Sequence, residues 1–195
     1  MTSKDPHLAG AHPVSATILG MPTATFTTVH VVISFAGIAS GIIVLIGMLV
    51  SSPLPSWTAL FLATTVLTSA TGYFFHTEKL MPSQILGGIS LALLALAILA
   101  LYVFGMAGAW RWIYVVAAVT SLYLNVFVLV VQSFLKVPAL HKLAPKGNEP
   151  PFAIAQGVVL VLFVALGFFA VRSFHPEEST QPGVGRVATV APTLA

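Results

Sequence analysis

The chain contains no cysteine, which excludes disulfides, thiolate catalysis, iron–sulfur ligation and thiol redox switching at once. Charge is almost as scarce, at 7% of 195 residues against about 25% in a soluble domain. The scarcity is not uniform. Five apolar runs, near Phe26 to Val50, Trp57 to Phe75, Gln84 to Phe104, Trp110 to Leu135 and Phe152 to Val171, contain no Asp, Glu or Lys, and Arg111 is their sole Arg. A carboxylate or ammonium in the hydrocarbon is the usual mark of an ion relay, a coupled transporter or an embedded catalyst, so these runs lack the parts for all three. Walker A, G-x-S-x-G and H-E-x-x-H motifs are also missing, which leaves phosphoryl transfer, esterase chemistry and zinc proteolysis without their residues. The sequence therefore leans away from an enzyme.

What is present is hydrophobicity: 57% of residues are apolar and the mean hydropathy is +0.99. The runs are about 19 to 26 residues long, and at about 1.5 Å per residue each covers the roughly 30 Å of a bilayer core. The pattern predicts an all-α fold, a polytopic membrane helical bundle with five transmembrane helices. Residues 1–25 and 174–195, rich in Pro and Gly, read as flexible tails around a bundle over residues 26–173. The N-terminal tail lacks the apolar core of a signal peptide, so the first span is expected to remain in the mature protein.

Short connections with prolines make neighbouring spans antiparallel. That places Lys79, Lys136, Lys142 and Lys146 on the face of the N-terminus, and Arg111, Arg172 and Arg186 on the other. The slight excess predicts a cytoplasmic N-terminus in an inner membrane, with the C-terminus outside. Trp57, Trp110, Trp112, Tyr102 and Tyr114 fall on the Arg111 face, where rings anchor at the interface. With only eight Lys and Arg, scattered at span ends, the partner is the lipid bilayer and not nucleic acid.

Polar and small residues recur at helical spacing. Gly37 and Gly41 form a G-x-x-x-G pair, and Thr64, Thr68, Thr71 and Gly72 share one face of the second run. Gly88, Ala92 and Ala95 do the same in the third. These faces are expected to pack helices within the bundle, or against a membrane-protein partner or a second copy. In the fourth run Asn125 and Gln132, seven residues apart, point the same way and must face inward, since an amide in lipid leaves several groups unpaired. Gln156 of the fifth run is the expected clasp for Gln132. His30 and His76 reach the same membrane face and are the only pair suited to hold a b-type haem between helices. His30, His76, Gln132 and Gln156 thus bound a candidate ligand site at the N-terminal face. No metal ligand set and no resident cofactor are expected beyond that haem alternative.

The stretches WTALFLATTVLTSATGYFF from Trp57 and GAWRWIYVVAAVTSLYLNVFVLVVQSFLKVPAL from Gly108 resemble a group of small, uncharacterised bacterial inner-membrane proteins. The W-R-W-I-Y run at Trp110 to Tyr114 and the Y-L-N run at Tyr123 to Asn125 carry the likeness, which covers about Thr27 to Val171. It implies a bacterial membrane location and a compact helical bundle, and it transfers no site. Two functions remain: a non-catalytic packing or accessory protein, or a haem- or quinone-linked redox protein.

Overall fold

A computed structural model describes residues 17–75 and 82–176. His76 lies outside the described residues, as do Lys79, residues 1–16 and residues 177–195. A two-residue hairpin opens the described chain: β1 (Thr17–Ile18) pairs antiparallel with β2 (Met21–Pro22). Leu19 and Gly20 between them have φ of 52° and 78°, the positive values that a two-residue hairpin turn needs. Helix α1 (Thr23–Leu49) follows at once. The first helix thus begins inside the predicted flexible tail, because Pro22 has its φ already fixed and stands where a helix can start.

Helix α2 (Pro55–Thr71) has proline at its first position, where the missing N–H breaks no helical bond, and tightens into a single 3-10 turn over Gly72–Phe74. Helix α3 (Pro82–Ile98) ends in a π-helical turn, Leu99–Val103. Gly105, Met106 and Gly108, with φ of 56°, 59° and 54°, reverse the chain into α4 (Ala109–Lys136). One turn, α5 (Pro138–His141), lies in the connection to α6 (Pro150–Ser173). There the Glu149 carboxylate accepts the backbone N–H groups of Lys146 at 3.0 Å and Asn148 at 3.1 Å. Against a desolvation that raises it, these bonds hold the Glu149 carboxyl below its ordinary value.

The fold is all-α apart from the hairpin. Among the described residues, helices α1, α4 and α6 and the stretch Ser83–Val103 are the four long and apolar enough to cross a membrane. Helix α2 is shorter, and it lies antiparallel along α1. Phe26 meets Phe74 and Phe75 at one end, while Leu54 approaches Gly47 at the other. Helices α1, α2, α3 and α4 pack in a ring, each on the next, and α6 lies outside it against α4 and α1.

The dense core occupies the half of the ring away from the N-terminal face. Val44, Leu45 and Met48 meet Phe61, Leu62, Leu94, Ala97, Ala100, the Tyr114 to Leu122 segment, Ala170 and Phe174 there. Small residues let the backbones close in. Tyr114 belongs to this core, 2% exposed, and not to the interfacial belt expected of it. Trp57 and Trp112 are exposed as anchors should be, and Trp110 stacks on Phe104 at 3.8 Å between ring centroids.

Candidate polar site inside the bundle

Many hydroxyls in the helices bond to their own backbone. Thr64 donates to Leu60 O at 2.7 Å, Thr71 to Leu67 O at 2.6 Å, Ser34 to His30 O at 2.8 Å and Ser121 to Ala117 O at 2.9 Å. These bonds satisfy the group without any other role. Thr65 and Thr68 break the rule: the Oγ1 atoms of both are buried with no hydrogen-bond partner, as is Nδ2 of Asn125. Thr65 is 1% exposed.

Two of the unpartnered atoms, Thr65 Oγ1 and Asn125 Nδ2, converge beside Gly37. A Cβ on Gly37 would lie 3.2 Å from Thr65 Oγ1, 3.3 Å from Thr64 Oγ1 and 3.4 Å from Asn125 Nδ2. Glycine there lets α2 and α4 bring polar groups against the α1 backbone at mid-length of the helix. One turn further, a Cβ on Gly41 would meet Leu122 Cδ1 at 2.6 Å and Phe61 Cδ2 at 2.8 Å. The G-x-x-x-G pair is therefore a contact face within the chain, polar at Gly37 and apolar at Gly41.

Other expected packing residues divide. Thr64 lies at this junction and Thr68 one turn further along α2, whereas no described residue would come within 4 Å of a Cβ on Gly72. Among the described residues, then, Gly72 makes no packing contact. It begins the 3-10 turn, where the helix is already leaving the face. The buried face of α2 is instead Thr58, Phe61, Leu62 and Thr65. The seven-residue step from Thr58 to Thr65 was the signal for it. In α3, Gly88 meets the Tyr73 hydroxyl, 2.7 Å from a Cβ position, but Ala92 and Ala95 are exposed.

The direct clasp expected between Gln132 and Gln156 is not formed, and His76 of the candidate quartet lies outside the described residues. Gln156 donates from Nε2 to the Phe127 carbonyl of α4 at 3.1 Å, and the Gln132 side chain makes no hydrogen bond among the described residues. The polar clasp exists, but its acceptor is backbone. His30 sits toward the N-terminal face with Nδ1 at 2.8 Å from Thr71 Oγ1. Because Thr71 gives its one hydroxyl proton to Leu67 O, the imidazole is the donor, and Nε2 has no hydrogen-bond partner among the described residues. The Phe75 ring packs edge-on against it at 5.3 Å. His76, the other half of the haem pair, lies outside the described residues, and no group of three metal-binding side chains occurs among them.

At the opposite face sits a contact that sequence reasoning passed over. Arg111 Nη1 donates to Val171 O at 3.0 Å and to Phe174 O at 2.5 Å. The carbonyls ending a helix lack intrahelical partners, and Arg111 of α4 supplies them to α6. The His175 N–H continues the seam, donating to Ser51 Oγ at 2.9 Å, so the start of the expected C-terminal tail is packed.

The helices and this interior define an α-helical membrane protein with a polar cluster buried between its helices. No protein-family model, curated protein or solved structure matches the chain.

Proposed function

We propose that the chain is a five-pass inner-membrane protein that works through helix contacts, as a non-catalytic packing or accessory protein for another membrane protein or a second copy. The observation that carries this reading is how the spans use their polar groups. Gln156 ties α6 to the α4 backbone, Arg111 ties α4 to the end of α6, and His30 ties α1 to α2. Side chains of the kind that transport or catalysis would use hold helices together instead. The long apolar faces of α3 and α6, with Ile85, Leu96, Val158, Val161 and Phe169 exposed, are what the protein offers to lipid or to a membrane partner.

A fifth pass is supported by α2 and its 3-10 turn. At about 1.5 Å per α-helical and about 2.0 Å per 3-10 residue they extend roughly 31 Å, the thickness of the hydrocarbon. Five passes put the termini on opposite sides, with the lysines of the N-terminal face in the cytoplasm.

Reporter fusions after Lys79, Lys146 and Ala195 test the layout. We expect cytoplasmic signal at the first two and periplasmic signal at the third. The same side for all three would remove a pass, and a full reversal would invert the orientation. An absorption spectrum of the purified protein tests the role: no Soret band is expected. A band lost on His30→Ala would replace the packing reading with a haem-linked one, for which the supporting feature is Nε2 of His30, unpartnered among the described residues.

A further inference from the structure

The connection between α4 and α6 carries three lysines, Lys136, Lys142 and Lys146, all of them exposed. No described acid neutralises them. Glu149 is the one acid among the described residues, and its two carboxylate oxygens are taken by the backbone N–H groups of Lys146 and Asn148, so no ion pair forms with a lysine there. In the sequence of the connection between α2 and α3, Glu78 and Lys79 cancel in charge.

The connection is also held in place. Phe134 packs edge-on against Phe152 at 5.4 Å between ring centroids, which joins the end of α4 to the start of α6. The His141 N–H donates to Val137 O at 2.8 Å, and the Ala144 N–H donates to Leu140 O at 3.2 Å with Ala144 itself buried. The three ammonium groups therefore stand on an ordered backbone, and less freedom is lost when they meet a ligand.

Beside the lysines stand Leu135, Val137 and Leu143, which are 55%, 43% and 56% exposed. A soluble polyanion would give these aliphatic groups no apolar cover. The boundary between acyl chains and phosphates suits both sets, because aliphatic side chains can sink while lysine stems reach past them to the headgroups. Charge on the other face is already engaged: Arg111 donates to the Val171 and Phe174 carbonyls, and Arg172 lies over the Phe168 ring.

We propose that the α4–α6 connection is a docking surface for the headgroups of anionic phospholipids, which it selects from a neutral background through Lys136, Lys142 and Lys146. The proposal rests on the chain being a membrane protein, and neither on its packing role nor on which face is cytoplasmic.

The full-length protein in a neutral detergent is titrated with phosphatidylglycerol and with phosphatidylcholine of the same acyl chains, and bound lipid is counted by native mass spectrometry. A lysine near an anionic surface contributes about fivefold, the equivalent of about 1 kcal/mol, so the protein should prefer phosphatidylglycerol by at least about tenfold. Raising the salt from about 0.1 M to about 1 M, which shortens the Debye length from about 10 Å to about 3 Å, should reduce that preference. Lys136→Gln/Lys142→Gln/Lys146→Gln should bring the two lipids within about twofold of each other, whereas arginine at all three positions, or Arg172→Gln on the other face, should keep the preference. The salt series needs no variant and stays decisive where the triple glutamine protein does not fold. Equal binding of the two lipids by the unaltered protein, a preference that survives the triple glutamine change or high salt, or an equal loss in Arg172→Gln would overturn the proposal. Poly-glutamate that binds through the same lysines more tightly than phosphatidylglycerol would replace the lipid surface with an acidic protein segment.

Discussion

Gly41→Leu is expected to lower the stability of the bundle by about 1 to 3 kcal/mol, the cost of overpacking a filled core. The first atom added already collides: a Cβ there would lie 2.6 Å from Leu122 Cδ1 and 2.8 and 2.9 Å from two atoms of the Phe61 ring. Neither neighbour is free to yield, because Phe61 and Leu122 are each 1% exposed in the cluster that joins α1, α2, α3 and α4. Relief would require α1 to move off both partners. The comparison belongs at Gly157, an exposed position of α6 where nothing lies within 4 Å of a Cβ, and Gly157→Leu should leave the melting temperature in detergent unchanged. Gly47 looks like an equivalent control in the sequence, yet a Cβ there would lie 2.8 Å from the Ser52 carbonyl. That oxygen belongs to the tight turn between α1 and α2, so Gly47→Leu should be harmful too. Equal melting of the Gly41→Leu and Gly157→Leu proteins would show that the α1 face does not pack as described.

Removing Arg111 should have an effect of the same order. Hydrogen bonds to charged groups are worth about 1.5 to 3 kcal/mol each, and Arg111→Ala deletes two, leaving the last carbonyls of α6 uncapped. We expect a loss of about 2 to 4 kcal/mol. The positive charge also opposes the negative end of the α6 dipole. Arg111→Lys should recover part of the loss, since an ammonium keeps the charge but not the planar fork. Arg172 offers the contrast: it is exposed, 4.3 Å above the Phe168 ring, and Arg172→Ala should cost no more than about 1 kcal/mol. Hydrogen exchange locates the damage, with faster exchange confined to Val171 to His175 in Arg111→Ala. Unchanged exchange there would mean that α6 ends stably without its partner.

How far the sequence reaches is clearest at particular residues. The apolar runs gave the helices because a bilayer permits no other use for about 20 residues without charge, and helical spacing alone put Gly37, Gly41 and Asn125 on inward faces. Spacing also kept Asn125 and Gln132 together on one side of α4. It says which residues share a face of one helix. It does not say which neighbour that face meets, at what height, or whether a hydroxyl turns back to its own backbone.

Those matters were settled between helices. Gln156 could seek any acceptor at its depth and takes the Phe127 carbonyl, because α6 lies on the outer side of α4 and not within the ring. Arg111 reads as a span-end charge bound for lipid phosphates, but the end of α6 arrives beside it and carbonyls replace the phosphates. Tyr114 reads as an interfacial ring and is buried, since Phe174 folds over it at 6.2 Å between ring centroids. Thr64 and Thr65 are the same residue type in the same helix; a rotation of about 100° sends one hydroxyl back to Leu60 and leaves the other unpartnered against α1. Composition and periodicity thus determined the medium, the helices and the inward faces, because solvation and backbone geometry act along one chain. The partners of each polar group required the tertiary structure, because hydrogen bonding between helices depends on their order, height and rotation.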